Sequence, residues 1–122
     1  MVSIVLVSHS YKLVEGLLHE LRMFSKDCPI AIAGGDDNND YGTSFNKIKK
    51  AIEDVYSDDG VCIICDVGSS IMTSEMVLEE LQNDKIKILD TSFLEGSIVA
   101  VTSSQQGMSL EQIINIVPTK PL

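Results

Sequence analysis

The sequence predicts an α/β fold: a three-layer sandwich in which a mostly parallel central sheet lies between helices. Four short apolar runs alternate along the chain with segments whose apolar residues recur at helical spacing. Runs that are apolar throughout are typical of strands buried on both faces of a parallel sheet. With 122 residues the chain is long enough for one core and too short for two, so residues 1–122 are predicted to form a single domain.

The first predicted strand and the first predicted helix flank a polar turn. The apolar run at residues 2–7 stops at the triplet Ser8, His9 and Ser10. Ser10 is placed to cap the helix that follows. That helix is predicted to end before Pro29, because proline disfavours helical geometry in the residue before it. The apolar stripe of this helix is formed by Leu13, Leu17, Leu21 and Phe24.

The second unit repeats this order. Residues 30–33 predict a short strand that runs into a loop rich in glycine and aspartate at 34–40. Thr43 or Ser44 is placed to cap the next helix. The apolar stripe of that helix is formed by Phe45, Ile48, Ile52 and Val55. A third strand is predicted over residues 61–65.

The remainder of the chain is less regular. A helix after the third strand carries Met72 and Met76 at helical spacing, and both methionines are predicted to pack in the core. Residues 86–89 predict a fourth strand. The segment 93–102 fits either a helix or a strand, and both alternatives stay open. A final amphipathic helix is predicted over 110–117.

Charge and cysteine content argue against several classes of function. The formal net charge of -9 disfavours nucleic acid and anionic membranes as partners, since both attract basic surfaces, but it is compatible with a basic protein partner. Cys62 and Cys65 lie inside an apolar strand and are predicted to be core thiols. Free thiols, the lack of a basic leader and the lack of an apolar stretch of membrane-spanning length together predict a cytoplasmic protein.

The predicted topology brings several strand ends to one edge of the sheet. Right-handed crossovers place four strand-end residues at this edge: His9, Gly34, Asp66 and Asp90. Open α/β sheets bind ligands outside the carboxyl ends of their strands, so His9 is the candidate functional residue. Asp66 ends a different strand at the same edge and is the candidate for orienting the histidine ring.

Most chemistries of a strand-end histidine are disfavoured here. No second suitable metal ligand converges on His9, so no metal site is assigned, and neither a nucleophile elbow nor a phosphate-binding Gly-Lys-Ser/Thr loop occurs. The remaining possibility is a histidine that itself accepts a phosphoryl group. A carboxylate bonded to one ring nitrogen would fix the tautomer of this histidine and stabilise the positive ring formed on transfer. The groups expected to hold the phosphoryl oxygens belong to Ser8, Ser10, Thr43, Ser44, Gly68 and Ser69. A purely structural histidine, with Gly-Thr-Ser at 42–44 as a plain helix cap, stays open.

Six short motifs in a fixed order carry a family resemblance. They are Val-Ser-His-Ser at 7–10, Ala-Gly-Gly-Asp at 33–36, Gly-Thr-Ser at 42–44, Asp-Val-Gly-Ser at 66–69, Glu-Met at 75–76 and Leu-Glu-Gly at 94–96. Together they resemble the phosphocarrier subunits of phosphoenolpyruvate-dependent dihydroxyacetone kinases. Those subunits are related to the mannose-family enzyme IIA domains of the sugar phosphotransferase system. The likeness extends over nearly the whole chain.

The resemblance implies a phosphohistidine carrier. Its donor would be HPr, charged by enzyme I from phosphoenolpyruvate, and its acceptor would be ADP held on the nucleotide-binding subunit of the kinase. The carrier itself would therefore bind no cofactor. On the family pattern His9 is the phosphorylated residue and Asp66 is its hydrogen-bonded partner, which would leave Nε2 to carry the phosphate. The family also implies a homodimer with a mostly parallel central sheet.

Two alternatives remain at the sequence level. A mannose-type enzyme IIA would use the same His9 but deliver the phosphoryl group to a sugar-specific enzyme IIB. A non-enzymatic regulatory module is the second alternative, since one fold serves many functions. The Gly-Gly-Asp-Asp loop and the Asp-Val-Gly-Ser turn favour the kinase branch.

Overall fold

The protein is a three-layer α/β sandwich, as the sequence predicts. The computed structural model describes residues 1–119. Strands and helices alternate along the chain, and a short additional helix follows the last strand-helix unit. The elements are β1 Ser3–Ser8, α1 Tyr11–Phe24, β2 Ile30–Gly34, α2 Phe45–Val55, β3 Val61–Cys65, α3 Gly68–Leu81, β4 Ile86–Ile88, α4 Phe93–Gln105 and α5 Leu110–Ile116.

The described strands form one parallel sheet in the order β2-β1-β3-β4. β1 is flanked by β2 and β3, so that Val7 stands opposite Ala33 on one side and opposite Cys65 on the other. His9 follows Val7 by two residues, and Asp66 follows Cys65 directly. The register of β1 against β3 therefore places His9 and Asp66 side by side at the carboxyl edge of the sheet.

Both faces of the sheet are buried, and β1 contributes to the two cores in alternation. Ile4 and Leu6 belong to the core that the sheet shares with α1, α4 and α5. Val5 and Val7 belong to the core on the opposite face, which contains residues of α2 and α3. Each fully buried aliphatic side chain of this size contributes about 1.5–3 kcal/mol to folding. Burial on both faces explains why residues 4–7 of this strand are all apolar.

The prediction that Met72 and Met76 lie in the core is wrong. The two methionines are 66% and 59% exposed. The buried face of α3 consists instead of Ser70, Ser74 and Val77. Small side chains allow a helix to approach a sheet closely, but two of these three are polar. Apart from Val77, the buried face of α3 is therefore not detected by apolar residues at helical spacing.

The stripe predicted for α1 is only partly right. Leu17 and Leu21 are buried together with Val14, whereas Leu13 and Phe24 are exposed. Positions 14, 17 and 21 follow the three- and four-residue spacing of one helical face, and position 13 lies about a quarter-turn away from it. The N-cap prediction for this helix is confirmed, because the Ser10 side chain accepts a hydrogen bond from the backbone N–H of Leu13.

The structure resolves the alternative left open for residues 93–102 in favour of a helix. α4 runs from Phe93 to Gln105 and packs mainly through small residues. Its buried residues are Gly96, Ser97, Ala100, Val101, Ser103 and Ser104. The cysteines lie in the core as predicted: Cys62 and Cys65 are buried, and burial raises the pKa of Cys62 to about 12.

Gly96 marks a close approach between α4 and the turn that precedes it. A methyl group at this position would overlap the side chain of Thr91, whose hydroxyl donates a hydrogen bond to the Pro118 carbonyl. We expect Gly96→Ala to lower the free energy of unfolding by about 1–3 kcal/mol, because the helix must move away from Thr91. Urea titration followed by circular dichroism measures this change.

Gly16 provides the matched control for that substitution. It lies within α1, and an added methyl group would meet nothing within 4 Å. Gly16→Ala should therefore stabilise the protein by about 0.5–1 kcal/mol, the usual gain from replacing a glycine inside a helix. Equal effects of the two substitutions would show that the contact with Thr91 carries no energetic cost.

Candidate functional site

The centre of the candidate site is a contact between His9 and Asp66. The His9 Nδ1 atom lies 2.5 Å from Asp66 Oδ2, and the His9 backbone N–H donates to the same oxygen at 3.1 Å. The histidine side chain is 39% exposed, whereas that of the aspartate is only 7% exposed. The ring is therefore held from its buried side, and the remainder of the imidazole faces solvent.

The carboxylate of Asp66 is fixed by several donors besides His9. Its Oδ2 accepts from the Ser8 hydroxyl at 2.8 Å, and its Oδ1 accepts from the Ser70 hydroxyl at 2.8 Å and the Val67 backbone N–H at 2.7 Å. Burial alone would raise the pKa of Asp66, but the hydrogen bonds from His9, Ser8 and Ser70 outweigh burial and lower the pKa. The aspartate is consequently ionised at neutral pH.

The ionised carboxylate determines the tautomer of the histidine. A carboxylate can only accept hydrogen bonds, so the proton shared in the contact with Asp66 belongs to His9 Nδ1. In the neutral imidazole the lone pair then lies on Nε2. This is the arrangement that nucleophilic attack through Nε2 requires, and the nearby negative charge stabilises the positive ring that such an attack produces.

The hydroxyl groups next to His9 have structural partners. Ser8 donates to Asp66 while its oxygen accepts from the Ser10 backbone N–H at 3.0 Å. The Ser10 hydroxyl caps α1. The Ser44 hydroxyl accepts from the Lys47 backbone N–H at 3.1 Å, which caps α2, and donates to the Asp37 carboxylate. Thus three of the serines singled out from the sequence take part in holding the turns around His9.

Thr43 connects the loop before α2 to the first turn of α3. Its hydroxyl oxygen lies 2.9 Å from that of Thr73, and the Thr73 hydroxyl also lies 2.9 Å from the Ser69 carbonyl, to which it donates. Since each hydroxyl has one hydrogen, Thr43 is the donor to Thr73. This chain of hydrogen bonds joins segments that are thirty residues apart in sequence, and nothing in the sequence marks Thr73 as part of it.

Gly68 and Ser69 lie exposed in the first turn of α3. The N-cap of this helix is Val67, which has no side chain able to accept from the first amides. The start of α3 thus differs from the starts of α1 and α2, which are capped by serine hydroxyls. Uncapped amides at a helix start, next to the positive end of the helix dipole, suit a negatively charged group.

The other two predicted strand ends have separate surroundings. Gly34 ends β2, and a methyl group there would overlap Val14 and approach the Tyr11 backbone to 2.8 Å, so a glycine is needed for β2 to pass α1. Asp90 is exposed in the turn between β4 and α4. No hydrogen bond of either residue to His9 or Asp66 is present among residues 1–119.

Tyr41 is the residue near His9 that the sequence analysis does not single out. Its ring stacks on the imidazole with a centroid separation of 5.8 Å and an interplanar angle of 23°. The only available signal is its position directly before the Gly-Thr-Ser motif. Its approach to His9 depends on the conformation of the preceding loop, in which Gly35 and Asn39 have φ angles of 74° and 64°.

Metal ligands and helix length are the remaining structural features of residues 1–119. Among residues 1–119 there is no group of three or more histidine, cysteine, aspartate or glutamate side chains arranged to hold a metal ion. Within the same range, each helix falls short of the length and apolar character that crossing a membrane demands.

The chain is similar to phosphotransferase system components and to DhaM subunits of dihydroxyacetone kinases. The EIIA-man family model, described as the fructose IIA component of the phosphotransferase system, matches residues 3–114. The phosphoryl donor subunit DhaM of a phosphoenolpyruvate-dependent dihydroxyacetone kinase from Listeria innocua is 35% identical over 118 residues, which cover 93% of this chain and 94% of that protein. The DhaM subunit of Escherichia coli is 36% identical over 121 residues.

The Escherichia coli relative is much longer than the matched region. The match covers 93% of this chain but only 26% of that protein, so the chain spans about a quarter of its length. Among solved structures, the phosphotransferase system component EIIA from Streptococcus agalactiae has a TM-score of 0.68 at 20% identity, over 94% of this chain and 88% of that one. This likeness supports the fold. The family match and the near-full-length relative show that the chain belongs to the EIIA-man family, together with the phosphoryl donor subunits named DhaM.

Proposed function

We propose that this chain is a phosphohistidine carrier that takes a phosphoryl group from phospho-HPr and passes it to ADP on the nucleotide-binding subunit of a dihydroxyacetone kinase. The single observation that carries the proposal is the contact of 2.5 Å between His9 Nδ1 and an ionised Asp66, which directs the ring's lone pair to the exposed side at Nε2. The relatives are named as phosphoryl donor subunits of dihydroxyacetone kinases, which supports such a kinase as the acceptor.

In the first step the Nε2 lone pair of His9 attacks the phosphorus atom of phospho-HPr. The new N–P bond forms as the N–P bond of the donor breaks, and the donor's imidazole keeps that electron pair. The ring of His9 becomes positive, and Asp66 stabilises it through Nδ1–H. The amides of Gly68 and Ser69 are the groups we assign to the phosphoryl oxygens, because α3 begins without a side-chain cap.

In the second step the terminal phosphate oxygen of ADP attacks the same phosphorus atom. The N–P bond breaks, its electron pair returns to Nε2, and ATP forms on the acceptor subunit. The carrier therefore needs no cofactor of its own, since the nucleotide stays on its partner. As part of the same proposal we infer a homodimer and a cytoplasmic location, where the phosphotransferase proteins and the kinase operate.

A mannose-type enzyme IIA is the second candidate, since the matching family model is described as a sugar component of the phosphotransferase system. It would use the same His9 but deliver to an enzyme IIB. The chemistry of the first step is identical, so the acceptor alone separates the two candidates. Recognition of the acceptor depends on the surface around His9 rather than on the contact with Asp66.

Reconstitution of the relay tests the proposal. The chain is incubated with phosphoenolpyruvate, enzyme I and HPr, separated from them, and mixed either with ADP-loaded nucleotide-binding subunit or with an enzyme IIB. We expect intact mass to show one phosphoryl group that is discharged within minutes by the kinase subunit and retained with enzyme IIB. Discharge by enzyme IIB alone would move the chain to the second candidate. Failure to acquire the group from phospho-HPr would exclude both.

A further inference from the structure

An exposed tyrosine lies against the ring of the candidate phosphoryl carrier. Tyr41 is 81% exposed, so burial in the core does not explain its position. Its ring nevertheless lies nearly parallel to the His9 imidazole, at 5.8 Å between centroids and 23° between planes. Offset stacking of this kind is an attractive interaction between aromatic rings. It places a second constraint on the imidazole, in addition to the bond between Nδ1 and Asp66.

The loop that carries Tyr41 is ordered by its own hydrogen bonds. The Asp36 carboxylate accepts from the backbone N–H groups of Asn38 at 2.8 Å and Asp40 at 3.0 Å. The Asp36 backbone N–H also donates to the Asp40 carbonyl at 2.9 Å. On the other side of Tyr41, the Gly42 backbone N–H donates to the carbonyl of His9 itself at 3.0 Å. Both neighbours of Tyr41 are therefore fixed.

A lysine joins this loop to the end of the second strand. The Lys47 ammonium donates to the Gly34 carbonyl at 2.8 Å and to the Asn39 side-chain oxygen at 2.5 Å. It also lies 5.6 Å from the centre of the Tyr11 ring. Because the loop is tied down before any ligand arrives, the tyrosine is preorganised next to His9 and its placement costs little entropy when phosphoryl transfer occurs.

We propose that Tyr41 is a positioning residue for phosphoryl transfer: its ring holds the His9 imidazole in one plane and favours the positive form that the transfer creates. This inference rests on the proposed function, since it concerns the same ring. The face of a tyrosine attracts a cation, so the contact strengthens as His9 becomes positive. An interaction that is stronger in the charged state than in the neutral state accelerates transfer, whereas one of equal strength in both does not.

A small chemical donor tests the inference without any partner protein. Phosphoramidate transfers its phosphoryl group to an imidazole: the Nε2 lone pair forms the new N–P bond, the donor's P–N bond breaks, and ammonia leaves. His19 is exposed on α1 and supplies an internal reference. Peptide mapping then gives the loading rate of His9 relative to His19 in each variant.

We expect Tyr41→Ala to lower the ratio of the His9 rate to the His19 rate by about two- to tenfold, as loss of an aromatic pair predicts. Tyr41→Phe keeps the ring and should restore the ratio. Tyr56→Ala removes a different surface tyrosine, at the end of α2, and is the matched control. Asp36→Ala keeps Tyr41 but loosens its loop, and should give an intermediate ratio.

An unchanged ratio in Tyr41→Ala would overturn the inference, and so would a Tyr41→Phe ratio as low as that of Tyr41→Ala. Failure of the inference and failure of the proposed function give different results. If Tyr41→Ala loses rate with phosphoramidate while phospho-HPr fails to charge the wild type, the positioning role stands and the relay is wrong. If phospho-HPr charges the wild type and Tyr41→Ala equally fast, and phosphoramidate gives the same ratio for both, the relay stands and Tyr41 has no part in it.

Discussion

His9→Ala is expected to abolish phosphoryl acceptance from phospho-HPr. The imidazole is the only group at this edge of the sheet, among residues 1–119, that combines a lone pair directed to solvent with a carboxylate on its opposite nitrogen. Alanine removes the nucleophile, and the hydroxyls nearby are bound in helix caps and in the Asp66 cluster. Intact mass after incubation with phosphoenolpyruvate, enzyme I and HPr measures the loss.

His19→Ala is the matched control for this substitution. His19 is the second of two histidines in the chain and lies exposed within α1, so its removal leaves the strand-end site unchanged. The control should acquire one phosphoryl group at the wild-type rate. That group should be lost in mild acid and survive in alkali, as expected for phosphate on an imidazole nitrogen. A phosphoryl group on His9→Ala, or none on His19→Ala, would contradict the assignment.

The fold of His9→Ala should be retained, which makes the loss of function interpretable. The side chain of His9 is partly exposed, and Asp66 keeps its bonds from Ser8, Ser70 and the Val67 backbone. The backbone N–H of residue 9 also remains available to the carboxylate. Circular dichroism and the urea midpoint of the variant therefore serve as the check that only the nucleophile has been removed.

The parallel sheet follows from the sequence, because the apolar runs of β1 and β3 suit strands that are buried on both faces. The strand order β2-β1-β3-β4 comes from the structure. Helices α3 and α4 were harder for a physical reason. Apart from Val77 and Val101, their buried residues are serine, glycine and alanine, which apolar periodicity does not detect. The exposed methionines Met72 and Met76 then mimic a core stripe on the wrong face of α3.

The pairing of His9 with Asp66 is accessible from the sequence because both residues follow parallel strands, whose carboxyl ends lie at one edge of the sheet. The structure adds that these two strands are neighbours. The contact with Tyr41 was not accessible. It depends on a loop of several residues in which Gly35 and Asn39 adopt positive φ angles and the Asp36 carboxylate accepts two backbone hydrogen bonds. No local sequence pattern specifies that such a loop brings Tyr41 next to His9.

The sequence predicts Ser10, and either Thr43 or Ser44, as helix caps, but it does not predict that the Ser8 hydroxyl donates to Asp66. A serine before a helix serves as a cap, as a partner of a carboxylate or as a donor to a bound anion, and these roles share one residue type. The structure places Ser10 and Ser44 in caps and Ser8 against Asp66. It leaves the start of α3 without a side-chain cap, and only the three-dimensional arrangement distinguishes this helix start from the other two.

Asp66→Asn is expected to slow phosphoryl acceptance by up to about 10⁴-fold, the loss seen when the aspartate that fixes the histidine of a catalytic triad is replaced by its amide. Asparagine has nearly the same shape but no charge, so the positive ring formed on transfer loses its stabilisation. Its amide NH₂ group also donates, so His9 no longer has to keep its proton on Nδ1. Stopped-time assays with phospho-HPr should show the loss in kcat rather than in KM, because the ring is not the docking surface.

Ser70→Ala is the matched control for the charge of Asp66. It removes one hydrogen bond to Oδ1 but leaves the carboxylate and its contact with His9, so we expect a rate loss of less than about tenfold. A rate for Asp66→Asn within a factor of two of the wild type would contradict the role assigned to the charge. A large loss in KM with kcat unchanged would instead make Asp66 part of the surface that binds the donor.

The acid sensitivity of the fold gives an independent measure of the same carboxylate. The hydrogen bonds from His9, Ser8 and Ser70 overcome the effect of burial and hold the pKa of Asp66 below its ordinary value. The folded state therefore prefers the ionised form, and this contribution to stability is complete above the ordinary aspartate pKa and is lost as the pH falls through the lowered one. The wild type should be more stable than Asp66→Asn at pH 7, and the difference should shrink towards strongly acidic pH. The acid sensitivity reports on folding, whereas the loss in kcat reports on phosphoryl transfer. A variant with normal acid sensitivity but slow transfer would therefore separate the structural role of Asp66 from its role in stabilising the charged ring.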